Sequence, residues 1–186
     1  MHRVRTKRLT ASSLDICSDK TGTITQGRMV VRKAWVPGCG TYSVEATSEV
    51  YNPTAGQVLL EGSEPRQATE EKGEGSPISP HDEVASNHSL QWYLNAASLA
   101  NLATVEQSDS SSANPGEWKA KGAPTEIAIE VFAGRFGWNR LELTQGQKAE
   151  WKHVAEYPFD SDVKKMTVLF HNIKSNETHV FTKVSI

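Results

Sequence analysis

The last third of the chain is written for strand. Trp151 to Phe159, Met166 to His171 and Thr178 to Thr182 carry branched and aromatic residues between polar turns. Ahead of them stand two stretches with a helical period. Leu90, Tyr93, Leu94 and Ala97 recur at helical spacing and predict a helix over about Ser89 to Val105. A second helix is expected to begin at Pro124, a residue suited to a first helical turn, with Ala128, Val131, Phe132 and Phe136 on its buried face. Met29 to Val36 and Thr41 to Ala46 lean towards strand, and Pro37-Gly38-Cys39-Gly40 between them has the composition of a hairpin turn. Antiparallel sheet flanked by helices, an α+β domain, is the expected fold. Glu61 to about Asn87 is rich in Ser, Pro, Gly and Glu and reads as a polar surface insertion, and Gln107 to Gly116 reads as a second polar loop.

Composition narrows the function classes. With 37% hydrophobic residues in 186, the chain can build one core with a short appendage. A formal net charge of −2 argues against nucleic acid or an anionic membrane as the main partner, and no partner protein is evident. Cys17 and Cys39 are too few for a disulfide framework and read as cytosolic thiols. The basic start, Met1 to Arg8, is not followed by the apolar stretch of a secretory signal. No run reaches the roughly 18–20 apolar residues of a membrane helix. Asn87-His88-Ser89 and Asn176-Glu177-Thr178 match a glycosylation pattern that also arises by chance. The histidines are scattered and the cysteines lack Cys-x-x-Cys spacing, so no zinc site is expected. Trp35, Trp92, Trp118, Trp138 and Trp151 read as core or rim residues.

The chemistry begins at Asp19-Lys20-Thr21-Gly22-Thr23, a carboxylate after the short apolar stretch Leu14 to Cys17. An Asp at a strand end can attack a phosphoryl group and form an aspartyl-phosphate. Thr21 and Thr23 offer oxygens, and Gly22 allows close backbone approach to phosphate. Mg²⁺ would neutralise the phosphate oxygens. Taken alone, the string is also an ordinary turn. The longer string Ile16-Cys17-Ser18-Asp19-Lys20-Thr21-Gly22-Thr23-Ile24-Thr25 resembles the phosphorylation signature of the P-type ATPases.

Three further boxes carry the same resemblance. Lys121-Gly122-Ala123-Pro124-Thr125-Glu126-Ile127-Ala128 is similar to the family's Gly-x-Pro-Thr-Glu-x-Ala box, Phe159 to Val168 to its Phe-x-x-x-x-Lys-x-Met box, and Phe181-Thr182-Lys183 to the start of its Lys-Gly-Ala box. The Asp15-Ile16-Cys17-Ser18 start and the Thr25-Gln26-Gly27-Arg28-Met29 sequel look most like fungal sodium- or potassium-exporting ATPases. The resemblance implies ATP and Mg²⁺ as cofactors and Asp19 as the phosphoacceptor, with Asp19 and Thr21 at the metal in a complete enzyme. It also implies a nucleotide site made by Glu126, Phe159, Lys164 and Lys183. Phe159 would stack on adenine, Glu126 would accept from the exocyclic amine, and the two lysines would meet phosphate or ribose oxygens. Each also has a plainer reading. Phe159 could be a core aromatic, Glu126 a first-turn acid favoured by the helix dipole, and either lysine a solvated charge.

The implied organisation is a basic, unstructured start over 1–12, the beginning of a phosphorylation domain over 13–27, and a nucleotide-binding domain over 28–186. Lys183 is followed by Val184-Ser185-Ile186 where the family continues Gly-Ala, so the chain is expected to stop inside that box. The family's Thr-Gly-Asp, Gly-Asp-Gly-x-Asn-Asp and Thr-Gly-Glu-Ser strings do not occur. Phosphoryl transfer depends on positioning and electrostatics, so an ATP-binding piece without turnover is expected. The parent would be a membrane protein, the plasma membrane being the expected site, with this domain on the cytoplasmic side. The alternatives are an inert truncated product or a free-standing aspartate-nucleophile phosphatase.

Overall fold

The computed structural model describes residues 27–62, 75–109, 115–146 and 149–185. Asp19 and Thr21, with the whole of 1–12, lie outside the described residues. The first sheet has four antiparallel strands in chain order: β1 (Lys33–Val36), β2 (Gly40–Val44), β3 (Val58–Glu61) and β4 (Ser76–Pro77). The predicted hairpin is there, two to four residues shorter at its outer ends. Gly40 sits at φ 119 against β3, where a Cβ would stand 2.6 Å from the Glu61 carbonyl oxygen, so only glycine lets the strands close at that point.

Helices α1 (Pro80–Ser86) and α2 (His88–Leu99) follow. The side chain of Asn87 caps α2 by accepting from the Leu90 N–H at 3.2 Å. The sequence predicts that this helix runs to Val105, and the structure ends it at Leu99. Asn101 is the reason: its Oδ1 takes the Ala103 N–H at 2.9 Å, a local bond that competes with the helical ladder. The released chain then forms β5 (Thr104–Gln107), which pairs with β6 (Trp118–Lys121) as a separate two-stranded ribbon. Two helices follow, α3 (Pro124–Gly134) and α4 (Arg140–Thr144). The chain closes on a three-stranded antiparallel sheet of β7 (Trp151–Asp160), β8 (Lys165–Asn172) and β9 (Glu177–Val184). The α+β class stands, with four helices rather than two among the described residues.

Within the polar stretch 61–87 the described residues form β4 and α1, both largely exposed. The described part of it is held to the core by a few contacts. Val84 is the buried residue of α1, and Glu83 accepts a 2.8 Å hydrogen bond from the hydroxyl of the fully buried Tyr42. With Ile78 and Val84 as its apolar contacts to the core, this segment gives little hydrophobic signal to read.

Two main cores result. The first joins Val36, Tyr42 and Val58 of the four-stranded sheet to Leu90, Leu94, Phe132 and Phe136. The second joins Leu99, Leu143 and Trp151 to Met166, Val168, Phe170 and Phe181 of the three-stranded sheet. The predicted buried face of α3 (Ala128, Val131, Phe132), with Phe136 just beyond its end, is buried as expected. Trp151 lies in the core, whereas Trp35 is largely exposed. Among the described residues no helix is long and apolar enough to cross a membrane. Phe136→Ala is expected to cost about 3–5 kcal/mol of stability and Tyr42→Phe about 1 kcal/mol, read from urea unfolding curves. Equal losses from the two variants would contradict this assignment of anchors.

Candidate functional site

The two boxes that carry Glu126 and Lys183 are far apart in sequence and meet in space. Pro124 opens α3, which puts Glu126 in its first turn, where the helix dipole favours a carboxylate. Lys183 lies on β9 directly opposite Met166 of β8. Cross-strand neighbours share a face, and Met166 is buried, so Lys183 emerges on the core face of the sheet at its edge. There its Nζ donates to Oε1 of Glu126 at 2.8 Å, and both side chains are largely shielded from solvent.

Phe159 and Lys164 come to the same end of this sheet by a different route. The β7–β8 register shifts between Tyr157 and Asp160, and Phe159 lies inside that irregularity with its ring half exposed, at 52%. Asp160 Oδ1 then accepts from the N–H groups of Asp162, at 2.8 Å, and Val163, at 3.3 Å, closing a tight side-chain-supported turn. Lys164 ends that turn in the left-handed region at φ 51, and its carbonyl accepts the Ser185 N–H at 2.9 Å. In the register, Asp160, Lys165 and Val184 form one row across the sheet. Phe159, Lys164 and Lys183 are therefore neighbours of that row, and Glu126 approaches Lys183 from α3. Asp19 and Thr21, expected at phosphate and metal, lie outside the described residues, and among the described residues no three His, Cys, Asp or Glu side chains gather to hold a metal ion.

A second polar set beside this end was not read from the sequence. Arg140, at the start of α4, donates from Nη1 to the Asn101 carbonyl at 2.9 Å and from Nη2 to Glu156 at 3.3 Å. Its guanidinium also stands 5.5 Å from the centre of the Phe170 ring. Glu130 is buried one turn after Glu126 on α3, and its Oε1 accepts the Arg140 N–H at 3.4 Å while Oε2 has no hydrogen-bond partner. Burial pushes the Glu130 carboxyl up to about 7, against the downward pull of Arg140. The available signal was the four-residue spacing of Glu126 and Glu130, which puts both acids on one helical face.

A small α+β domain with an acid–lysine pair and an exposed aromatic at one sheet end is what the fold and site define. Comparison with known proteins gives its family. Residues 89–184, just over half of the chain, match the family model described as P-type ATPase, cytoplasmic domain N. The chain is 40% identical over 173 residues to the sodium/potassium exporting P-type ATPase cta3 of Schizosaccharomyces pombe, covering 92% of this chain and 15% of that protein. It is 35% identical over 198 residues to the sodium/potassium exporting P-type ATPase 1 of Saccharomyces cerevisiae, covering 89% of this chain and 18% of that one. A calcium-transporting ATPase of Bacillus subtilis is 30% identical over 168 residues, covering 90% of this chain and 15% of its own length. The chain belongs to the P-type cation ATPase family. It spans less than a fifth of the length of these relatives.

The Glu130 carboxyl makes stability depend on pH. Its folded value is raised above the ordinary 4.5, so its contribution is complete below 4.5 and is lost as pH rises through about 7. A difference of that size corresponds to about 3 kcal/mol. Glu130→Gln is expected to flatten this part of the profile and to raise stability at pH 8, measured by urea unfolding from pH 5 to 8. An unchanged slope would place the titration elsewhere.

Proposed function

We propose that this chain carries the ATP-binding part of a P-type cation ATPase, and that Glu126, Phe159, Lys164 and Lys183 form the nucleotide site. The observation that carries the reading is the ion pair between Glu126 and Lys183, which joins two distant boxes at the end of the sheet that also bears the exposed Phe159. Exposure of a large ring costs hydrophobic free energy unless something covers it, and an adenine face is a fitting cover. Glu126 offers an acceptor to the exocyclic amine. Lys164 and Lys183 supply donors for phosphate or ribose oxygens. With Lys183 resting on Glu126, an incoming nucleotide exchanges one charge-assisted bond for others and does not have to desolvate a bare carboxylate.

Residues 28–186 would constitute the nucleotide-binding domain, and residues 13–27 would begin the phosphorylation domain, with Asp19 as phosphoacceptor. Mg²⁺, where bound, would neutralise phosphate charge, and its expected ligands Asp19 and Thr21 lie outside the described residues. The parent protein would couple ATP hydrolysis to export of sodium or potassium, as the names of its relatives indicate for them. This chain would bind nucleotide without pumping.

Base contacts without the metal–phosphate half predict a Kd of about 0.1–1 mM for ATP, equivalent to about 4–5.5 kcal/mol. Phe159→Ala is expected to weaken binding by about 1–3 kcal/mol. Asp19→Asn is expected to leave it unchanged. Fluorescence or chemical-shift titration measures all three proteins. No response at several millimolar ATP, or an equal loss in the two variants, would overturn the assignment.

A further inference from the structure

Asn101 is fully buried, and its polar atoms are committed to other parts of the chain. Its Nδ2 donates to the Glu126 carbonyl at 2.9 Å, its Oδ1 accepts from the Ala103 N–H at 2.9 Å, and its own carbonyl accepts from Arg140 at 2.9 Å. Only one orientation of the carboxamide satisfies both side-chain bonds, since one partner is an acceptor and the other a donor. A second contact presses the same two segments together. Gly122, at φ 140 in the link from β6 to α3, lies so close to Ala103 that a Cβ there would meet the Ala103 Cβ at 2.8 Å and its Cα at 2.9 Å. The turn that bears Glu126 is thus seated on the segment 101–103 by a hydrogen bond and by a glycine-only approach.

These contacts form a closed circuit. Arg140 ties Asn101 to Glu156 on β7 and to the ring of Phe170 on β8. Asn101 ties Arg140 to Glu126, and Glu126 returns to the same sheet through Lys183 on β9. A circuit that starts and ends on one sheet fixes the distance from Glu126 to that sheet. Removing one link puts the slack at the carboxylate.

We propose that Asn101 is a positioning residue for the nucleotide site, holding Glu126 where it selects adenine over guanine. The inference rests on the nucleotide-binding reading above. At the position where adenine carries its amine, guanine carries a carbonyl oxygen. A fixed carboxylate accepts from the first and repels the second, whereas a displaced one discriminates less. Asn101 itself touches neither base nor phosphate in this arrangement and acts through Glu126.

The test compares the 186-residue chain with Asn101→Asp, which is isosteric and keeps the acceptor for Ala103 but turns an oxygen towards the Glu126 carbonyl. Asn101→Ser is the second variant, because its hydroxyl can serve Ala103 without reaching Glu126 and it buries no charge. ATP and GTP affinities are measured by titration. Independently of nucleotide, the coupling of Glu126 to Lys183 is measured by a double-mutant cycle of Glu126→Gln and Lys183→Met in unfolding, with and without the Asn101 substitution. The expected result is a fall of about threefold to tenfold in the ATP-to-GTP affinity ratio, a loss typical of one hydrogen bond, together with a reduced coupling. Equal weakening of both nucleotides with the coupling intact would reduce Asn101 to a structural residue and overturn the proposal. A parent chain that binds neither nucleotide would overturn the nucleotide-binding reading instead. The Glu126–Lys183 coupling would then decide the positioning role alone: unchanged coupling refutes it, and lost coupling supports it.

Discussion

The architecture depends on α2 belonging to two cores at once. Its first half puts Leu90 and Leu94 into the cluster under the four-stranded sheet, and its end puts Leu99 into the cluster on the three-stranded sheet. A helix is a rigid rod at this length, so the two sheets cannot drift apart without exposing one set of these side chains. Trp138 packs against both clusters and its indole N–H donates to Asn95 of α2 at 2.9 Å, which fixes the link from α3 to α4 on the same rod. The polar site lies at the far end of this frame, where α3 and the last sheet meet.

That location explains why charged groups collect there. Inside the cores, apolar contact sets position and a charge would be costly. At the rim, apolar area runs out, and distances are set by hydrogen bonds with definite lengths. Glu126, Lys183, Arg140, Glu156 and Asn101 are partly or fully shielded, each with a partner whose charge or polarity answers its own. Glu130 departs from this pattern, since one of its oxygens is buried without a partner. Its raised carboxyl value is the physical record of that departure.

Much of the fold was legible in the chain because its signals were periodic. The strands of the last sheet, the start of α3 at Pro124 and its buried Val131 and Phe132 follow from alternation and helical spacing. What escaped was set by single atoms. The early end of α2 depends on where the Asn101 oxygen points. The ribbon of β5 and β6 is polar along much of its length, and α1 has one apolar anchor. The site was legible only in part. Glu126 and Lys183 are residues of recognisable boxes, but their 2.8 Å contact belongs to the fold. Arg140 and Asn101 stand in no box and have no periodic signature. Asp19 and Thr21 lie outside the described residues, so the sequence remains the ground for their roles.

The turn after Phe159 is closed twice, by the Asp160 side chain within its own hairpin and by Ser185 just past β9, whose N–H reaches the Lys164 carbonyl. A hairpin tip held in this way cannot rock about its base as a free one does. Pressure on the exposed ring is therefore transmitted along the backbone to the strand that carries Lys183. The ring and the lysine thus ride on backbone that is tied together, and stiffness here comes from strand order as well as from the Asp160 side chain.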